Sequence, residues 1–231
     1  MAFRNKASVI LKKKPDILVV PECENPGKLV FPKGTKKPND ALWFGNNPHK
    51  GLGIFSFNGY TLRLLDNHNP ALQTIIPIDV TGAAFNFTLL AIWANNPTDP
   101  DGQYVEQVWK ALHHYNKLLS NKLMVLAGDF NSNTIWDRKY RQGNHSHVVE
   151  WLEAKNIYSA YHIHHKQTQG KEKHSTFYLY RHKDKPYHID YCFLSKDLAA
   201  TLQSVEIGRH HYWKKYSDHM PLITTFNEAI V

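Results

Sequence analysis

The 231-residue sequence predicts an α/β protein in which two packed, mainly antiparallel β-sheets are flanked by helices. Three observations lead there. Apolar runs of strand length recur along the chain, turn signals such as Asn58-Gly59 and Thr81-Gly82 separate them, and one long segment has its apolar residues at helical spacing. Strand runs with helices between them form sheets stacked face to face with helices outside. Acidic residues at strand ends are spread from Glu22 to Asp218, and one site needs one domain, so residues 1–231 are expected to fold as a single unit.

Ala2 to Lys14 reads as a helix, with Phe3, Ala7, Ile10 and Leu11 on one face and a lysine-rich last turn suited to the helix dipole. Pro15 ends it. Residues 16–20 form the first strand. Residues 24–51, rich in Pro, Gly, Asn and Lys, form either a long surface loop or short irregular strands, and Lys28, Lys33, Lys36 and Lys37 make this stretch basic. Strands follow near 51–57, 60–65, 72–80 and 85–93. Val105, Val108, Trp109, Leu112, Tyr115 and Leu119 place an amphipathic helix over 102–120. A strand at 123–128 and a helix near 146–155 come next. Residues 176–181 and 187–194 are expected to pair across the polar turn from Arg181 to Pro186, and 198–203 to form a short helix.

The formal charge is +8 with His neutral, which favours polyanionic partners through counterion release, although a merely basic surface has the same composition. Cys23 and Cys192 each lie in or beside an apolar strand and read as buried thiols. Two cysteines make no disulfide framework, which suits a reducing cytoplasm. The start lacks an apolar signal core, and no apolar run approaches the ~18 residues of a membrane span. The expectation is a soluble, cytoplasmic monomer without a membrane partner.

The most informative stretch is Leu123-Met-Val-Leu-Ala-Gly-Asp-Phe-Asn131, an apolar run that breaks at a glycine and delivers Asp129 and Asn131 at its end. Such a strand places an acid and an amide on one rim of a sheet, where ligands bind, although both could simply cap the turn. Asp190 lies inside the apolar run His188 to Ser195, where an unpaired carboxylate is costly. Asp218 and His219 precede the final apolar stretch, and Glu22 closes the strand after Pro15. Carboxylates gathered on one rim repel unless a cation neutralises them, and oxygen ligands without Cys favour Mg²⁺ or Mn²⁺ over Zn²⁺. Phosphoryl transfer follows from such a site. The histidines at 162, 164, 165, 210 and 211 lack Cys partners at metal-ligand spacing and read as surface or loop residues.

That order of motifs, from Glu22 through Gly-Asp-x-Asn and Asp190-Tyr to Ser-Asp-His-x-Pro-Leu, resembles the endonuclease/exonuclease/phosphatase superfamily over Asp16 to Phe226. The resemblance implies the four-layer DNase I-like sandwich. It also implies that Glu22 is a metal ligand with Asp218 a candidate second, and that Asp129 positions or deprotonates the attacking water beside Asn131. His219 would contact the scissile phosphate, its ring fixed by Asp190. Asn96 would bind phosphate, whereas Trp93, which replaces an expected tyrosine, reads as packing. Tyr178, Arg181 and Tyr187 lie in an aromatic-basic stretch suited to substrate contact. The family usually opens with a strand ending in Trp-Asn-x-Asn, and this sequence starts in the following helix. Loss of that strand would leave an exposed hydrogen-bonding edge. Pro21 stands where a Gln often precedes the Glu.

The leading expectation is a Mg²⁺-dependent phosphodiesterase on nucleic acid, a DNA endonuclease or exonuclease. The alternatives are a phosphatase or phosphodiesterase for inositol phosphates or phospholipids, and a catalytically weak nucleic-acid-binding module. Ser132-Asn-Thr-Ile-Trp-Asp137 lacks the Tyr-Arg that inositol phosphatases often carry there, which disfavours the first alternative.

Overall fold

A computed structural model describes residues 3–31, 34–95 and 102–227. A three-stranded sheet has the order β1-β3-β2, from β1 (Ile17–Cys23), β2 (Asp40–Asn47) and β3 (Lys50–Ser56). Facing it is a six-stranded sheet of order β4-β5-β6-β7-β11-β8: β4 (Thr61–Leu64), β5 (Ile75–Thr81), β6 (Phe87–Trp93), β7 (Met124–Asp129), β8 (Ile157–Ser159) and β11 (Asp190–Ser195). Only β6 and β7 are parallel neighbours in it, and the helix α2 (Val105–His114) lies in their crossover, as parallel strands require. Two hairpins complete the strands: β9 (Phe177–Tyr178) with β10 (Pro186–Tyr187), and β12 (Leu202–Ile207) with β13 (Leu222–Phe226).

The period of two along the central strands explains the layering. Leu90 and Ile92 of β6, Leu126 of β7 and Phe193 of β11 face one core, closed by Val108 and Leu112 of α2 and by Val149 and Leu152 of α3 (His145–Glu153). The alternate residues Leu89, Ala91, Val125, Cys192 and Leu194 face the other core, where Leu52 and Ile54 of β3 meet them. Strands buried on both faces read as the near-continuous apolar runs seen in the sequence. Phe55 points the opposite way, into a third cluster with Phe3, Ala7 and Ile10 from the N-terminal segment, and with Trp213 and Met220.

Several expectations need correction. The helix expected over Ala2–Lys14 is broken into a 3₁₀ turn Phe3–Asn5, a single turn α1 (Ala7–Ile10) and a 3₁₀ turn Leu11–Lys13, ending on left-handed Lys14 (φ 52°). No side chain caps α1 at Lys6, and the N–H groups of Phe3 and Arg4 are taken by the Glu24 carboxylate. Of the two readings of 24–51, strands prevail, since β2 is eight residues long. Lys33 lies outside the described residues. The pairing of 176–181 with 187–194 is confined to β9 and β10, because Tyr180 and Arg181 adopt left-handed φ (54° and 62°) and stop the strand. β11 joins β7 and β8 instead. The helix at 198–203 is displaced to α5 (Lys196–Ala199), and Leu202 starts β12. The short α4 (Ala160–His165) and α6 (His210–Trp213), with β8, went unread.

Among the described residues β1 pairs only with β3, and β13 only with β12. A cavity of about 730 Å³ lies between these two strands and extends to β7 and β11. Both cysteines are buried and free, and burial pushes each thiol up to about 12. No described helix is long and apolar enough to cross a membrane.

Gly128 is where β7 bends toward its functional end. Its φ is +140°, and a Cβ there would lie 1.9 Å from the Ile92 carbonyl oxygen of β6. Backbone cannot yield as a flexible side chain does. Gly128→Ala is therefore expected to destabilise the fold by about 2–4 kcal/mol, read as a lower denaturation midpoint in urea.

Candidate active site

Register brings the acids together. Asp129 at the end of β7 sits directly opposite Asp190 at the start of β11. Asn131, left-handed at φ 47°, folds back so that its N–H donates to Asp129 Oδ1 and its side-chain amide to Asp129 Oδ2 and the Ala94 carbonyl, each at 2.9 Å. His219 Nδ1 lies 2.9 and 3.1 Å from the two Asp190 oxygens. Glu22 arrives from the other sheet on an irregularity in β1 between Val20 and Cys23, with φ 56°, and its carboxylate meets Lys50 Nζ at 2.7 Å. A small cavity of about 50 Å³ is lined by Lys6, Pro21, Glu22, Asp129, Asp190, Ser217 and His219. Pro21 lacks an N–H, so this strand position has no ladder bond to lose at the bulge.

Burial and repulsion by Asp190 push the Asp129 carboxyl well above the usual carboxylate range, against the pull of His219. Burial alone would lower the His219 imidazole, but the Asp190 carboxylate overrides it and lifts the ring to about 9. Burial likewise opposes ionisation of Glu22, yet Lys50 holds it down to about 2. Lys6 is kept below the ordinary lysine range by burial, despite Asp218 and Glu22 nearby. The free protein thus carries a charged imidazole beside a carboxyl group that ionises reluctantly.

Asp129, Asp190 and His219 each offer a ligand atom within 4.8 Å of the others, a grouping in which the imidazole could ligate a metal ion only when neutral. With Glu22 on the same cavity the donors are mostly carboxylate oxygens. That chemistry fits a hard divalent cation that keeps water and phosphate in its remaining positions.

A second layer fixes these groups. The Thr176 hydroxyl accepts from the N–H groups of Ile189 and Asp190 at 3.0 Å, and its carbonyl accepts from Met220 N–H at 2.6 Å, so one fully buried residue ties β11 to the His219 segment. Asn133 donates to the His188 carbonyl and the Tyr191 hydroxyl. Glu172, whose side chain is 5% exposed, accepts from Gly170 N–H at 2.9 Å and from His162 Nε2 at 3.0 Å. His162 Nδ1 lies 2.7 Å from the Ser159 hydroxyl and 3.2 Å from Gln169 Nε2. His162 is therefore a half-buried member of α4 and not the surface or loop residue expected.

Of the sequence-predicted residues, Glu22, Asp129, Asn131, Asp190 and His219 converge. Asp218 does not line the small cavity; its carbonyl accepts from Tyr178 N–H and its charge acts on Lys6 and His219 from outside. Tyr178 lies tilted against His210 with centroids 4.2 Å apart, and the Arg181 carbonyl faces His210 Nε2 at 3.0 Å, so neither contacts the acids in this way. Tyr187 reaches the site through Phe177, whose ring is 4.7 Å from His219. Asn96 lies outside the described residues. Trp93 is 7% exposed in the core between the sheets, a packing position. Sequence reasoning missed Lys6, Lys50, Asn133 and Thr176. Lys6 and Lys50 are hidden among many surface lysines, and the other two have no local pattern that marks them.

The model of the endonuclease/exonuclease/phosphatase family matches residues 7–219. The chain belongs to this family. Among solved structures, an AP endonuclease from Archaeoglobus fulgidus has a TM-score of 0.69 at 17% identity, covering 98% of this chain and 96% of that one. The endonuclease domain of TRAS1, a telomere-specific non-LTR retrotransposon, has 0.62 at 15%, covering 98% and 92%. The 3'-5' exonuclease NExo from Neisseria meningitidis has 0.61 at 19%, covering 96% of each chain. At such identities the likeness establishes the shared DNase I-like fold. No curated protein matches the sequence. Membership of the endonuclease/exonuclease/phosphatase family makes the chain a hydrolase of phosphate esters.

Glu172 generates a stability prediction. Its pKa falls from 4.5 to about 2: burial would raise it, and the His162 and Gly170 bonds outweigh that. A lowered carboxylate stabilises the fold above its ordinary pKa, and this contribution is lost as pH falls from about 4.5 through 2. Glu172→Gln is expected to cost about 2 kcal/mol at pH 7 and to flatten the acid limb of a denaturation series between pH 2 and 5.

Proposed function

We propose that this protein is a divalent-metal-dependent phosphodiesterase of nucleic acid, with DNA as the leading substrate. The observation that carries the reading is the Asp190–His219 pair set against Asp129 and Asn131, with Glu22 on the same cavity. Glu22 would hold Mg²⁺ or Mn²⁺ on the cavity it shares with Asp129 and Asp190, with Asp218, which does not line that cavity, acting on the site through its charge. A divalent ion bound there neutralises the phosphate oxygens and lowers the pKa of a bound water.

The remaining chemistry falls to side chains. Asp129, biased toward holding a proton near neutrality, is a stronger base than an ordinary carboxylate and takes the proton of the attacking water. Asn131 fixes its orientation with two donated bonds. Water adds to phosphorus, the P–O bond to the leaving strand breaks, and the leaving oxygen takes a proton from solvent. His219, lifted to about 9, is cationic at neutral pH and offers Nε2 to a nonbridging oxygen while Asp190 holds Nδ1. Of the expected substrate contacts Tyr187 is the one linked to His219, through Phe177, whereas Tyr178 and Arg181 sit beside His210. The positive formal charge of +8 suits a polyanion. The structure of 3' phosphatase NExo from Neisseria bound to a product DNA hairpin, 19% identical to this chain, is a relative of the same fold with that ligand.

The test is hydrolysis of single-stranded DNA, duplex DNA, an abasic duplex, RNA and an inositol polyphosphate with Mg²⁺, Mn²⁺ or EDTA. Asp129→Asn should lower turnover by ~10²–10⁴-fold and His219→Ala by ~10²–10³-fold, each with an unchanged circular dichroism spectrum. Near wild-type rates for either variant, or phosphate release from the inositol compound alone, would overturn the assignment.

A further inference from the structure

A row of aromatic rings leads away from His219 to the surface. Phe177 lies 4.7 Å from His219, Tyr187 is stacked 6.4 Å from Phe177 at an interplanar angle of 28°, and Trp136 lies 5.0 Å from Tyr187. Trp136 is 45% exposed and its neighbour Ile135 54% exposed, so the row ends in open apolar surface. The loop that carries them is built rigidly. The Asn133 side chain accepts from Ile135 N–H and donates to the His188 carbonyl, and the Asp137 carboxylate accepts from the first two N–H groups of α3. A ring held this way loses little entropy when it binds a flat partner. Arg138 and Lys139 follow it directly, and Lys183 and Lys185 lie in the turn just before Tyr187.

We propose that Phe177, Tyr187 and Trp136 form a stacking track for unpaired bases of a strand that leaves the cleavage site, so that the substrate class is single-stranded or frayed nucleic acid. In a duplex the base faces are already stacked on one another and present only edges in the grooves. Aromatic faces beside a scissile phosphate gain base contacts only when the bases are unstacked, and such contacts tolerate any sequence. Trp136 at the outer end of the row is 45% exposed, and Tyr187 behind it is half-buried. The flanking cations supply the phosphate contacts that accompany base stacking in single-strand grooves. This inference rests on the nuclease reading of the Asp129–His219 site.

The experiment measures affinity in EDTA for two fluorescent oligomers of equal length and charge, oligo(dT) and a base-free tetrahydrofuran-phosphate chain, with wild type, Trp136→Ala, Trp136→Leu and Trp136→Phe. Wild type should favour oligo(dT) about tenfold or more. The Ala and Leu variants should lose that preference, the Phe variant should keep most of it, and affinity for the base-free chain should stay the same throughout. Equal wild-type affinity for both oligomers, or a preference that survives Trp136→Leu, would overturn the track. So would a micromolar dimer dissolved by Trp136→Leu, which would mark the patch as a protein contact. Absence of cleavage of any nucleic acid in Mg²⁺ or Mn²⁺ sinks the nuclease reading instead, and the two failures are separately visible.

Discussion

Two carboxylates set opposite each other on neighbouring buried strands constrain everything around them. Asp129 and Asp190 offer ligand atoms within 4.8 Å, and at an effective dielectric of about 20 two full charges at that range would repel by roughly 3–4 kcal/mol. The chain relieves this in two ways. His219 places a cation against Asp190, and Asp129 moves toward its protonated form. Both adjustments are also what phosphoryl transfer asks for: a charged donor for a nonbridging oxygen, and a base whose pKa lies near the working pH. The electrostatic problem posed by β-strand register and the chemistry of the site have one solution.

The backbone around the pair is unusual at three positions. Glu22, Gly128 and Asn131 all have positive φ, and each lies within two residues of a strand end. Glu22 turns off a bulge in β1, Gly128 lets β7 press against Ile92, and Asn131 folds its amide onto Asp129. Non-glycine residues in that region cost free energy and persist where surrounding bonds over-determine them. Lys50 holds Glu22, and two donors from Asn131 hold Asp129. The strands behind this rim alternate regularly between their two cores.

This division decides what could be read from the sequence. Alternation along β6, β7 and β11 is a local property, so those strands and the Gly-Asp-x-Asn turn were legible to within a few residues, whereas the helix expected over 102–120 is shorter, α2 ending at His114 before a 3₁₀ turn at Leu118–Ser120. Asp190 stood out because an acid in an apolar run needs a partner, and His219 is that partner in space, 29 residues later. Glu22 rather than Glu24 could not be settled by strand parity. The bulge breaks parity, and Glu24 is consumed by Phe3, Arg4 and their N–H groups. β8, α4 and α6 are too short to show periodicity and exist through tertiary contact. Lys6 and Lys50 become distinctive only once folding buries one and aims the other at Glu22.

The site also straddles two sheets, and this determines how it must be held. Glu22 belongs to β1, Asp129 and Asp190 to the six-stranded sheet, and His219 to the segment leading into β13. β1 and β13 do not pair with each other, and the cavity of about 730 Å³ lies between them. Ladder hydrogen bonds therefore cannot set the distance from Glu22 to His219. Side-chain packing and a few specific clamps must do it. Val20 and Cys23 from β1 share a buried cluster with Phe3, Ile10, Trp213 and Met220, and the last two flank the His219 segment. Thr176 ties Met220 to Asp190, and Phe177 bridges to His219. Interiors resist small displacements because they are close-packed. A void introduced at Met220 or Trp213 would therefore act on the catalytic geometry before it acted on the six-stranded sheet, whose residues lie outside that cluster.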